Sequence, residues 1–191
     1  SSAFYDETKK NHMSDTFRHY LAGQLKLLPE VLAMIAPTIN SYTRMIKGFW
    51  APTHSNWGVD NRTCSIRVIH GSPKSHRLEY RIAAADGNPY LALAATVACG
   101  LYGIKHKLEL PPMVEGNAYD LETSPDNVEL PNTLEKSTNA FSKSKVMREL
   151  FGDVWVDHFT ITREWEAKCY KEQKKDDPDW FWMRDRYFEI I

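Results

Sequence analysis

Several absences bound this sequence before any motif is considered. It has no surplus of one charge: 24 Lys and Arg stand against 25 Asp and Glu in 191 residues, a net charge of −1. A general nucleic-acid binder or a polybasic membrane-surface protein would show a basic excess. Cysteine is scarce: Cys64, Cys99 and Cys169 are odd in number and far apart, which fits neither a disulfide framework nor a zinc site. The longest apolar run, residues 89–104, is about four residues short of a membrane span. The first residues lack the basic-then-apolar pattern of a signal peptide. No Gly-x-x-x-x-Gly-Lys loop, dinucleotide glycine pattern or His-Glu-x-x-His helix occurs. By elimination the expectation is a cytoplasmic protein with no membrane or nucleic-acid partner.

What is present is apolar material. Hydrophobic residues make up 42% and the chain holds six Trp, enough for a packed core and incompatible with disorder. Ser14 and Asp15 precede Phe17, Leu21, Leu25, Leu28 and Leu32, an amphipathic helix to about Met34 that Pro29 should kink or divide. Residues 50–61 read as loop. Residues 63–69 and 77–82 alternate as half-buried strands, joined by a turn at His70–Lys74. Asn88-Pro89 opens a helix apolar nearly all round, hence expected to be buried, in which Gly100-x-x-Gly103 signals close helix packing. Residues 107–131 contain four Pro and read as a long loop of the kind that serves a site or an assembly surface. Helices follow over 133–150 and 154–174, with a short aromatic one over 180–191. The fold class is α+β, and two adjacent strands alone make a poor sheet.

The chemistry concentrates in arginine. On the second strand Arg77, Glu79 and Arg81 alternate, so they share one face with about 7 Å between neighbours. Two guanidiniums beside a carboxylate suit a site where a metal nucleotide meets an anion; the plainer reading is a solvated strand face with cross-strand charge pairs. Arg67 projects from the first strand and Arg44 and Arg62 lie nearby in sequence, each equally readable alone as a surface group.

These local signals join into one pattern. Asn40-Ser41-Tyr42-Thr43-Arg44, Ala51-Pro52, Asn61-Arg62-Thr63-Cys64-Ser65-Ile66-Arg67, Arg77-Leu78-Glu79-Tyr80-Arg81 and Asn88-Pro89-Tyr90-Leu91-Ala92-Leu93-Ala94-Ala95 occur in that order. The sequence resembles the C-terminal part of the catalytic domain of glutamine synthetase and its γ-glutamyl-amine ligase relatives, most closely over residues 40–105. The resemblance implies an antiparallel sheet flanked by helices, incomplete as a domain in this chain. It implies ATP-dependent ligation of glutamate with ammonia or an amine through a γ-glutamyl phosphate, with Mg²⁺ or Mn²⁺. By the same resemblance Arg44 and Arg81 would hold glutamate, Arg62 would face the phosphoryl group, Arg67 and Arg77 would contact nucleotide phosphates, and Glu79 would ligate metal.

The family carries a Glu between its Gly and Ala-Pro landmarks in ammonia-using members. Here that block is Gly48-Phe49-Trp50-Ala51-Pro52, which places Trp50 at the amine. An indole suits an apolar or larger amine, in part through cation–π contact, so the expected amine is not ammonia. The resemblance further implies an upstream β-grasp domain, the first half of the catalytic domain with the remaining metal ligands, and a ring-shaped homo-oligomer; a chain with Glu79 as its only such ligand is expected to be inactive alone. The competing expectation is a non-catalytic homologue with a structural or interaction role.

Overall fold

The computed structural model describes residues 2–173 and 179–188. Helix α1 (Asp15–Ile35) is its axis, capped by the Ser14 hydroxyl, which accepts from the Phe17 amide. Its apolar stripe serves two cores. Phe17, Leu21 and Leu25 meet Trp57, Ile66 and Val68 of the sheet. Leu28, Val31, Leu32 and Ile35 meet the helices of the second half of the chain. Each of these large side chains, fully buried, contributes about 1.5–3 kcal/mol.

Pro29 does not divide α1, which continues through it as one 21-residue helix. Pro29 has no N–H for the carbonyl of Leu25, four residues back. The Ser55 hydroxyl supplies the missing donor at 2.6 Å.

The segment read as loop over 50–61 holds β1 (His54–Ser55) and β2 (Trp57–Val59). Two- and three-residue strands are too short to show an alternation. β3 (Ile66–Ile69) pairs in parallel with β2 and antiparallel with β4 (Arg77–Tyr80). Both β3 and β4 are shorter than the alternation suggested. The pair thus gains a third strand, and the sheet is mixed. One face carries Ile66 and Val68 onto α1; the register sets Arg67 beside Glu79 on the other.

Helix α2 (Ile39–Thr43) follows α1 through a capping box between Thr38 and Ser41. Helix α3 (Pro89–Lys105) is capped by Asn88, whose side chain accepts from Tyr90 and Leu91. It crosses α1 with no room to spare: a Cβ on Gly103 would lie 2.1 Å from the His19 carbonyl and 2.6 Å from the Gly23 Cα. A Cβ on Gly100 would lie 2.1 Å from Cε2 of the Tyr20 ring. The expectation that α3 is buried on all sides fails. Its small residues Ala95, Cys99, Gly100 and Gly103 are buried, whereas Tyr90, Leu93, Val97 and Leu101 are exposed.

The long loop contains β5 (Val128–Glu129), paired with β1, and a single 3₁₀ turn over Ala118–Asp120. The helix expected over 133–150 breaks at Ser144 into α4 (Leu134–Lys143) and α5 (Lys145–Phe151), because Ser144 caps α5 by accepting from the Met147 amide. Helix α6 (Asp153–Gln173) begins after Gly152, whose φ of 81° ends α5. Asp153 stands in its first turn rather than capping it, receiving Arg148 at 2.9 Å. Helix α7 (Asp179–Tyr187) returns to the body of the protein. Arg186 and the Tyr187 hydroxyl converge on the buried Glu166 carboxylate at 2.8 and 2.7 Å, and the Ile39 amide donates to the Tyr187 oxygen. The ends of the expected helices at residues 174 and 189–191 lie outside the described residues. The described residues thus form an α+β arrangement, and none of their helices is long and apolar enough to cross a membrane.

Candidate functional site

The site lies where the solvent side of the sheet meets the turn between β2 and β3. Asn61 builds that turn: its Oδ1 accepts from the Thr63 amide at 3.0 Å and hydroxyl at 2.6 Å, a local bond that competes with strand pairing. Arg62, held between them, projects outward. Its guanidinium has no hydrogen bond or ion pair among the described residues and is exposed. Behind the turn a buried polar knot fixes the strand start. Ser65 Oγ donates to the Asn56 carbonyl at 2.8 Å, and Asn56 Nδ2 donates to Asn127 at 2.8 Å.

A cleft of about 670 Å³ opens here, bounded by Trp50, Asp60, Arg62, Arg67, Met113 and Glu115. Arg67 reaches it from β3, held by Asp60 at 3.0 Å on one side and Glu79 at 3.3 Å on the other. Glu79 in turn accepts from Arg81 Nε at 3.1 Å. Charges therefore alternate along the sheet surface as Asp60, Arg67, Glu79, Arg81. Arg81 also donates to the carbonyls of Arg62 and Trp50, tying the strand end to the two segments that flank the cleft.

The structure brings five of the seven expected residues into this network: Trp50, Arg62, Arg67, Glu79 and Arg81. Arg77 does not join it. Although Arg77 alternates with Glu79 along β4, its guanidinium turns back to the Ser75 carbonyl at 2.8 Å and is exposed. Among the described residues, Arg44 reaches the edge of the network only at the Arg81 carbonyl, 3.5 Å from its Nη1. It donates to the carbonyls of Ile82 and Ala83 at 2.9 and 3.2 Å and borders a separate hollow with Asn40, Asp86 and Tyr187. Burial, then the like charge of Arg81, pulls the Arg44 pKa down from the usual guanidinium range.

Each Glu79 oxygen accepts from one guanidinium, which leaves a lone pair on each for a cation, and the side chain is partly exposed. No cluster of three or more His, Cys, Asp or Glu side chains that could hold a metal occurs among the described residues, so a cation here would need further ligands. The arginines do fit an anionic group: Arg62 has no partner among the described residues and faces the cleft together with Arg67.

The sequence reading missed Asp60 and the stretch Met113–Gly116. Asp60 follows a strand too short to recognise. Met113–Gly116 comes from a loop whose path no local pattern gives, although its length had marked it as serving a site or a surface. That loop is stitched across the turn: Val114 N donates to the Trp57 carbonyl at 2.9 Å, Asn61 Nδ2 to the Gly116 carbonyl at 2.8 Å, and Ala118 N to Thr63 Oγ1 at 2.9 Å.

An arginine-bearing sheet face beside an open cleft suits a charged ligand such as a carboxylate or phosphate. Comparison with known proteins makes this specific: the family described as glutamine synthetase, catalytic domain, matches residues 1–180. The chain belongs to the glutamine synthetase family. It is 48% identical over 190 residues to type-1 glutamine synthetase 2 of Dictyostelium discoideum, covering 98% of this chain and 35% of that protein. It is 46% identical over 177 residues to the gamma-glutamylethanolamide synthetase of Streptomyces coelicolor, covering 93% of this chain and 36% of that protein. It is 37% identical over 180 residues to a glutamate–isopropylamine ligase of a Pseudomonas species, covering 94% of this chain and 38% of that protein. The chain thus spans little more than a third of the length of these curated relatives.

Proposed function

We propose that this chain is the arginine-bearing, C-terminal part of the catalytic domain of an ATP-dependent ligase that joins glutamate to an amine other than ammonia. The observation that carries the reading is the shared cleft of Trp50, Arg62 and Arg67. In such a reaction the transferring phosphoryl group concentrates negative charge, and positioned guanidiniums stabilise it where it develops. Arg62, exposed at the cleft and unpartnered among the described residues, takes that role, with Arg67 beside it on the nucleotide side. Arg81 and Arg44 bind glutamate. Trp50 offers an indole face where a carboxylate would favour a small cation. Two of the relatives are named for ethanolamide and isopropylamine products or substrates, which supports a larger amine.

Glu79 ligates the divalent cation together with carboxylates from elsewhere in the complete protein, and with Asp60 it fixes the forks of Arg67 and Arg81. The β-grasp domain and the first half of the catalytic domain lie upstream, and the complete enzyme is a cytoplasmic homo-oligomer. By itself the 191-residue chain releases no phosphate from ATP and glutamate.

The test is an amine screen on the full-length protein, reading glutamate- and ATP-dependent phosphate release. At least one alkylamine, hydroxyalkylamine or diamine should exceed ammonium in kcat/KM. A preference for ammonium over every amine tried would overturn the choice of amine. Trp50, standing where ammonia-using members carry a carboxylate, favours one competing reading, a non-catalytic homologue. That reading requires that the full-length protein fail to bind ATP·Mg²⁺.

A further inference from the structure

Trp50 sits in an unusual backbone state. Its φ is 58°, in the left-handed region, which costs a side-chain-bearing residue about 1–2 kcal/mol. Packing does not hold it there, because the indole is 65% exposed and its neighbour Phe49 is 74% exposed. Gly48, with φ 88°, adds freedom two residues earlier. Something outside the segment must hold it.

Two side-chain hydrogen bonds reach residues 50 and 51 from elsewhere in the chain. Arg81 Nη2 meets the Trp50 carbonyl at 3.4 Å, near the limit of a useful bond. The Tyr119 hydroxyl donates to the Ala51 carbonyl at 3.1 Å. Ala51 is 1% exposed, so its carbonyl needs a protein partner, and Tyr119 is the only donor it has among the described residues. Burial pushes the Tyr119 phenol up, so the hydroxyl keeps its proton at neutral pH. Tyr119 itself stands on a firm base. Residues 114–118 are bonded to Trp57, Asn61 and Thr63, the residues that also present Arg62.

We propose that Tyr119 is a positioning residue: through the Ala51 carbonyl its hydroxyl holds Trp50 over the Arg62–Arg67 cleft, and so tunes selection of the amine. The same strap then fixes both walls of the cleft, the arginine turn through residues 114–118 and the indole through Tyr119. The role in amine selection rests on the ligase reading above; the mechanical role does not.

The test is Tyr119→Phe in the full-length protein, which keeps the ring and removes the donor. Hydrogen exchange over residues 46–52 should quicken about fivefold, the effect of losing one ordinary hydrogen bond, while residues 57–69 keep their protection. The KM for the preferred amine should rise by a similar factor with the KM for ATP unchanged. Unaltered exchange over 46–52 overturns the proposal whatever the activity. Faster exchange with an unmoved amine KM overturns the role in selection. If the unsubstituted protein ligates no amine, the ligase reading and the role in selection fall together, and the exchange result still decides whether Tyr119 holds Trp50.

Discussion

Ser55 donates its hydroxyl proton to the carbonyl of Leu25 at 2.6 Å, and Leu25 is the residue whose helical donor Pro29 removes. A proline inside the central helix is thereby matched by a serine on β1, and the bonded residues Ser55 and Leu25 are buried.

This pairing predicts a conditional cost. Ser55→Ala leaves a buried acceptor unpaired and should destabilise the protein by about 1–3 kcal/mol. In a Pro29→Ala background the helix supplies its own N–H, so the same Ser55→Ala change should cost much less. A double-mutant cycle read by urea denaturation checks this; equal costs in the two backgrounds refute the pairing.

Gly103→Ala should be among the most damaging single-methyl additions in the chain. The new Cβ would meet the His19 carbonyl and the Gly23 backbone, and backbone cannot swing aside as a side-chain tip can. Overpacking of this kind typically costs about 1–3 kcal/mol or more. Thermal unfolding should show a clear loss, whereas Gly116→Ala, with nothing within 4 Å of the added Cβ, should be limited to the strain of its positive φ.

Trp50→Glu should move amine preference toward ammonium in the full-length ligase. The substitution exchanges an indole face for a carboxylate that favours a compact cation. The expected result is a lower KM for ammonium and a higher KM for alkylamines, read by phosphate release at saturating ATP and glutamate. Unchanged KM values for both would remove Trp50 from the amine site.

Acid should loosen the docking of α7. Glu166 is buried; that burial raises its pKa, but the bonds from Arg186 and Tyr187 outweigh it and hold the carboxyl below its usual 4.5. A group with a depressed folded pKa stabilises fully above its unfolded value and loses that contribution as pH falls through the folded one. Stability should therefore decline below about pH 4.5 from this source. Glu166→Gln should flatten that limb of the stability profile while lowering stability at neutral pH.

Legibility in the sequence tracked the length of the signal. Helices α1 and α3 were readable because apolar spacing and caps at Ser14 and Asn88 extend over many residues. The Gly100-x-x-Gly103 signature pointed to close packing, and Gly103 lies at the α1 crossing. β1 and β2 were not readable, since two or three residues carry no period. Asp60 and Met113–Gly116 enter the cleft through pairings between distant segments, which no local pattern encodes. Arg77 shows the converse error. Alternation places a residue on a face, but a long flexible side chain then chooses its partner, and Arg77 turned to the Ser75 carbonyl.

Helix α3 has a further consequence, for the behaviour of the chain in solution. It hides its small residues and displays Tyr90, Leu93, Val97 and Leu101 to water, the reverse of an ordinary surface helix. With a net charge of only −1, the chain has almost no long-range repulsion to keep two such stripes apart at neutral pH. Its colloidal state is therefore governed by concentration: dilution and a buffer well away from neutrality should keep particles small in light scattering, and crowding near neutral pH should make them grow.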